Sequence, residues 1–207
     1  MAEKANFSNI YKYYDLINSV ITLGFDRSWR SRASSYLYGK RVLDLGSGTG
    51  AALQQLRNYK VTAVDPDEKM LELNEFENKV IGEAENLPFQ DNSFDSVYCA
   101  FVWRNLNNPK SGLQEVYRVL RPGGKFILLD MTRPKNNFLK RLHKIGTFKV
   151  TLLIGLLTFN LKEYRFLHKS LDKYPQPEVH LLNNLFKNTD ITRMGLFGFV
   201  YLSVMEK

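Results

Sequence analysis

Apolar residues recur at helical spacing from the start of the chain: Phe7, Ile10, Tyr11, Tyr14, Ile17 and Ile21 share one face of residues 7–22. Residues 26–38, carrying Trp29 and Tyr36, read as a second helix. The pattern then changes. Arg41-Val-Leu-Asp-Leu-Gly46 is a short apolar run ending in glycine, the signature of a buried strand entering a turn. Residues 51–58 read as a helix, 61–65 as a strand, and 67–76 as a helix capped by Asp67. Residues 79–82 form a short strand and 95–102 an apolar one. Residues 111–120 are amphipathic, with Leu113, Val116, Tyr117 and Leu120 on one face. Arg121-Pro-Gly-Gly124 stops that helix, and 125–131 is a further strand. Residues 179–187 look helical, and 191–197 and 199–205 look like two strands joined at Gly198. Strands alternating with helices predict an α/β fold with a doubly wound parallel sheet, here closed by an antiparallel hairpin.

Composition narrows the class. The 207 residues are 44% apolar and 24% charged, which suits a single α/β core rather than a disordered chain. No repeat or Gly/Ser linker divides them. The single cysteine, Cys99, lies in an apolar strand and excludes an intrachain disulfide or a cysteine-rich metal site. His143, His168 and His180 lack metal-ligand spacing, so no metal is expected. Met1 is followed by Ala-Glu-Lys-Ala-Asn with no apolar signal core, and the expectation is a cytoplasmic protein.

The net charge of +8 is concentrated in one place. Between Met131 and Leu161 there is no acidic residue, whereas Arg133, Lys135, Lys140, Arg141, Lys144 and Lys149 all fall there, beside the apolar run 150–161. Basic next to apolar favours a lipid interface over a nucleic-acid backbone. Two readings stand side by side for residues 133–161. One is a flap that touches an anionic membrane surface; the other is a cap whose apolar face packs on the domain while its lysines are solvated.

The strongest chemical signal is Asp44-Leu-Gly46-Ser-Gly48-Thr-Gly50, placed after a strand and before a helix. Glycines let a backbone approach a ligand closely, and the helix that follows offers free N–H groups. Asp65 ends the next strand, where a carboxylate accepts hydrogen bonds from both ribose hydroxyls. Together they predict an adenosine-type ligand. The spacing is Gly-x-Gly-x-Gly rather than the Gly-x-Gly-x-x-Gly of dinucleotide sites, and it resembles the glycine motif of the seven-stranded S-adenosylmethionine methyltransferases. Residues 82–89, Gly-Glu-Ala-Glu-Asn-Leu-Pro-Phe, resemble that class's adenine-binding turn.

The resemblance narrows further, to the ubiquinone/menaquinone biosynthesis C-methyltransferases. Tyr14-Asp15-Leu-Ile-Asn18 with Trp29 is similar to their opening signature, and Phe101-Val-Trp-Arg104-Asn105 to their Phe-Gly-Leu-Arg-Asn segment. Arg118-Val-Leu-Arg-Pro-Gly-Gly124, followed by Asp130-Met-Thr132, resembles their second signature. Tyr164-Arg-Phe-Leu167, Ser170 and Tyr174-Pro175 resemble their Tyr-Arg block. Asp26 stands where the family has His, and Tyr201-Leu-Ser-Val-Met205 replaces Ala-Leu-His-x-Gly; these departures bear on the methyl acceptor rather than the cofactor.

The resemblance implies a seven-stranded, Rossmann-like mixed sheet with helices on both faces and a C-terminal antiparallel hairpin. It implies one domain: a helical lid over 1–38, a cofactor core over 39–132, a basic/apolar helical insertion over 133–175, and a closing helix and hairpin over 176–207. It places S-adenosylmethionine against Asp44, Gly46, Gly48, Thr49, Gly50, Asp65, Glu83, Ala84 and Ala100, and leaves S-adenosylhomocysteine as product. Arg104 would stabilise a phenolate and Asn105 orient the hydroxyl, with Tyr14, Tyr164 and Arg165 lining an acceptor pocket. His168 is weighed as a base, with a surface role preferred. The expected acceptor is a lipophilic prenylated quinol, demethylmenaquinol-like or a ubiquinone precursor, methylated at the inner face of a membrane. Nucleic acid is not an expected partner, and a homodimer is left open. Alternatives are methylation of another small molecule, methylation of RNA, or a binding protein that retains the pocket.

Overall fold

The computed structural model describes residues 22, 24–157, 160–173, 176–181 and 185–207. The helix expected over residues 7–22 lies outside them apart from residue 22, and so does Tyr14. The described elements run α1 (Asp26–Ser34), β1 (Arg41–Leu45), α2 (Leu53–Leu56), β2 (Lys60–Asp65), α3 (Glu68–Glu72), β3 (Asn78–Ile81), β4 (Phe94–Ala100), α4 (Pro109–Val119) and β5 (Leu120–Met131). They continue with α5 (Asn137–Leu157), α6 (Leu161–Ser170), α7 (Pro177–His180), β6 (Asn188–Met194) and β7 (Val200–Glu206).

One seven-stranded sheet carries the fold, in the order β3-β2-β1-β4-β5-β7-β6. The first five strands are parallel, and β7 pairs antiparallel with both β5 and β6. The mixed sheet with its closing hairpin is therefore as expected. Strands buried on both faces are mostly apolar, and β4 is buried from end to end, its Asp95 and Ser96 tied to the backbone at its amino end. Alternation then deals the side chains to two cores. Leu43, Leu45, Val97, Cys99, Phe126 and Leu128 pack with Trp103, Leu113 and Val116 on one face. Val42, Tyr98, Ala100, Ile127 and Leu129 pack with Trp29 and Ala33 on the other. Cys99 is a core residue; burial pushes its thiol well above the ordinary range.

Several boundaries differ from the sequence reading. The helices expected over 51–58 and 67–76 shrink to Leu53–Leu56 and Glu68–Glu72, the second capped by Asp67 as foreseen. Strand β5 starts at Leu120, and its pairing jumps from Phe94↔Leu120 to Ser96↔Lys125, so Arg121-Pro-Gly-Gly124 bulges within the strand. The helix expected over 179–187 is only Pro177–His180 among the described residues. The hairpin turns over 195–199 rather than at one glycine, with Gly195, Phe197 and Gly198 all at positive φ.

Arg133 was counted in the basic surface run, and here the structure corrects the reading. Its side chain is buried, 1% exposed, just beyond β5. It donates to both carboxylate oxygens of Asp172, at 3.2 and 2.9 Å, and to the His168 carbonyl at 3.0 Å and Thr147 Oγ1 at 2.8 Å. The His143 ring completes the set at 3.3 Å. A buried guanidinium is tolerable only when its donors are met this way. Arg133 thus pins α5 and the end of α6 to the sheet. The consequence for α5 is that its inward side carries His143, Thr147 and Thr151, with only Leu139 and Ile154 half-buried among its described large apolar residues, and most of its apolar side chains point out: Phe138 is 75% exposed, Leu153 59%, Leu156 54% and Leu142 52%. A cap whose apolar face packs on the domain does not describe this helix.

Candidate active site

In this strand order β1 and β4 lie side by side while the chain leaves them in opposite directions, which opens a crevice at their carboxyl ends. The glycine turn follows β1 there. Gly46 has φ +70°, and a Cβ on it would sit 2.5 Å from Val102 Cγ2 in the turn after β4. The two turns therefore touch only because residue 46 is glycine. Gly48 and Gly50 also have positive φ.

Asp65 is buried at the end of β2. Its Oδ2 accepts from the Gly48 N–H at 2.9 Å and its Oδ1 from the Asp67 N–H at 2.9 Å. Each carboxylate oxygen has a second lone pair, so the group can also accept from a diol. Burial raises its pKa to about 6, against the pull of those two N–H groups. Asp44, buried on β1, has no hydrogen-bond partner at Oδ2 among the described residues. Burial lifts it to about 7, opposed by the field of Arg30, a buried cation stacked 5.0 Å over the Phe101 ring. Two carboxylates poised near neutrality beside a glycine turn suit a cationic ligand, whose charge would favour their ionised forms.

Sequence reasoning missed Asn74. It is buried, donates to the Gly48 carbonyl at 3.0 Å and Ser47 Oγ at 3.2 Å, and accepts from the Phe76 N–H at 3.0 Å. It holds the glycine turn from behind. Ala84 and Ala100 are buried, Ala100 at the last position of β4, whereas Glu83 is exposed beside them. Thr49 is half-buried in the turn.

Beyond β4 the chain turns sharply through Phe101, a non-glycine residue at φ +66°, into a single 3-10 turn over Trp103–Asn105. Sparsely populated backbone of this kind clusters at functional sites. Arg104 is buried and donates to the Phe101 carbonyl at 2.7 Å and to Asp130, which is fully buried. Asp130 also accepts from the Arg104 backbone N–H at 2.8 Å. Asp130 was quoted in the second signature without a role; it fixes Arg104 and balances its charge. Asn105 Oδ1 is buried and has no hydrogen-bond partner among the described residues. Tyr164 is buried on α6, whereas Arg165 next to it is exposed, which gives Arg165 no support as a pocket residue. A separate cavity of about 530 Å³, lined by Lys40, Arg41, Asp95 and Arg121, lies at the opposite, amino end of the strands.

Known proteins decide the family. The model of the ubiE/COQ5 methyltransferase family matches residues 3–197. The chain belongs to that family. It is 32% identical over 204 residues to the ubiquinone/menaquinone biosynthesis C-methyltransferase UbiE of Geotalea daltonii, covering 88% of this chain and 87% of that one. The UbiE of Rickettsia felis is 34% identical over 193 residues, 83% of this chain and 78% of the other. Among solved structures, a SAM-dependent methyltransferase from Thermotoga maritima shares the fold with a TM-score of 0.66 at 21% identity, over 97% of each chain. Another from Methanosarcina mazei has a TM-score of 0.56 at 19% identity, over 84% of this chain and 95% of that one.

The family is one of S-adenosylmethionine-dependent methyltransferases, and the residues present fit that cofactor. The glycine turn leaves room for a close ligand, and Asp65 has lone pairs for the ribose. Asp44 keeps a buried acceptor oxygen without a donor, which suits an ammonium group.

Proposed function

We propose that this enzyme transfers a methyl group to a ring carbon of a prenylated quinol, of the demethylmenaquinol type first and a ubiquinone precursor second. Membership of the ubiE/COQ5 family and the printed names of the relatives support the acceptor class. The observation that carries the reading is that buried Arg104 and the orphaned Asn105 Oδ1 stand next to each other in the turn after β4, against the glycine turn.

Bound there, the cofactor supplies an electrophilic methyl group already activated by its sulfonium. The chain then has to orient a nucleophilic carbon and exclude water. A phenol of pKa about 10 becomes a strong carbon nucleophile only as its hydroxyl loses a proton, here to solvent. The ring carbon then takes the methyl as the methyl's bond to sulfur breaks, and gives up its own hydrogen as a proton to restore the aromatic ring. Asn105 Oδ1 accepts the hydrogen bond of that hydroxyl and fixes the ring. Arg104 stays protonated and places donors toward the developing phenolate. Because Asp130 balances its charge, Arg104 acts as a directed donor more than as a net positive charge. Asp44, Asp65 and the glycine turn would hold the cofactor, and Asn74 keeps the turn in shape.

The test is methyl transfer from labelled S-adenosylmethionine to a panel of short-tailed naphthoquinols, benzoquinols and RNA, with products identified by mass. Label on a ring carbon of a prenylated quinol is the expected result. Label on RNA alone, or on no quinol, would overturn the reading. Asn105→Ala should lower kcat about tenfold, the worth of about one hydrogen bond that orients the acceptor hydroxyl, with cofactor affinity within about twofold.

A further inference from the structure

We infer that α5 docks this protein on an anionic lipid surface, lying along the interface with its outward apolar face among the headgroups. At 100° per residue, Phe138, Leu142, Ile145, Leu152 and Leu156 fall within about 40° of one direction. All five are exposed. Thr147 and Thr151 lie roughly opposite, and Thr147 is the residue tied to Arg133. In an ordinary surface helix the apolar stripe faces the core. Here the stripe of His143, Thr147 and Thr151 does, and buried Arg133, paired with the partly exposed Asp172, holds it there. An exposed apolar stripe of this length is the mark of an interaction surface.

Charge selects the occupant. The helix carries no acidic residue. Lys144 and Lys135 pair with Asp172 and Glu178, but Arg141 and Lys149, on the side of the apolar stripe, are exposed. A second copy would bring the same cations to face these, whereas an anionic bilayer complements them. Lys149 lies within the apolar stripe, where a long side chain can reach past the acyl boundary to the headgroups. Among the described residues no helix is long and apolar enough to cross a membrane, so the geometry is that of a helix lying on one.

The purpose of such docking, access to a bilayer-dissolved acceptor, rests on the proposed quinol reading; the docking itself does not. The full chain is co-sedimented with phosphatidylcholine vesicles, with and without phosphatidylglycerol, at low and high salt and with no acceptor present. The expected result is binding that needs the anionic lipid and falls with salt. Ile145→Glu/Leu152→Glu should reduce bound protein at least about tenfold by removing two apolar anchors, with the melting temperature unchanged. Arg141→Glu/Lys149→Glu should remove the preference for anionic lipid. Absence of binding, equal binding to neutral vesicles, or undiminished binding by both variants would overturn the inference. A dimer in sedimentation equilibrium that Ile145→Glu/Leu152→Glu dissociates would overturn it too, in favour of a second copy. Methylation of a detergent-dispersed quinol tests the acceptor reading separately.

Discussion

Asp44 shows at the scale of one residue how burial becomes function. Its carboxyl is lifted to about 7 by burial, and one oxygen has no donor among the described residues. If the cofactor's cationic end binds the ionised form, protons compete with it. Apparent affinity for S-adenosylmethionine should weaken at least about tenfold from pH 8 to pH 6, led by the titration of Asp44 near 7 and followed by that of Asp65 near 6. Calorimetry at several pH values checks this, and Asp44→Asn should flatten the profile while weakening binding at high pH. The glycines and Asp65 were legible because their meaning depends on local order: strand, turn, helix, and a carboxylate at the next strand end. Asn74, Arg30 and Asp130 were not, because each acts through partners 26 or more residues away or, for Arg30, through a stacked ring on another element. A sequence pattern carries no record of such contacts.

At the scale of elements, the knot around Arg133 decides how α5 sits. His143 takes part as a neutral ring: burial first, then the neighbouring Arg133 charge, lowers its pKa to about 4. The unfolded chain binds this proton near pH 6.5 and the folded one only near 4, so stability is present above that window and is lost as pH falls through it. His168 is lowered in the same direction and for the same reasons. Discounted for the exposure of His143, about 1 kcal/mol is at stake, or roughly 2–4 °C in Tm between pH 7 and pH 5. A melting series should show this loss, and His143→Phe should reduce it. The Arg104–Asp130 pair matters more. Asp130→Ala takes the buried carboxylate away from the Arg104 guanidinium and should cost about 3–5 kcal/mol, seen as a Tm lower by roughly 10 °C. Helix α5 was legible as basic and apolar, yet its orientation was not. The apolar stripe fits a core-facing helix equally well until Arg133, which reads as one more surface cation, is seen to be buried.

At the scale of the molecule, alternation did most of the work. Short apolar strands such as 41–46 and 95–102, alternating with helical stretches, predicted a doubly wound parallel sheet, and Gly-x-Gly-x-Gly after the first of them located the ligand end. The order β3-β2-β1-β4-β5-β7-β6 converts that local motif into a crevice, because the chain reverses between β1 and β4. Short helices such as α2 and α3 were overread, since tertiary packing rather than propensity sets where such helices stop. The account depends on the grip of this crevice on the methyl donor. Its most direct test is a calorimetric titration of the purified chain and of Asp65→Ala with S-adenosylmethionine, the fold of the variant checked by melting. The expected result is tight one-to-one binding by the parent chain and a loss of about 10- to 100-fold in the variant, the worth of one or two hydrogen bonds to a charged group. Equal affinity in a folded variant, or no binding by the parent chain, would contradict it.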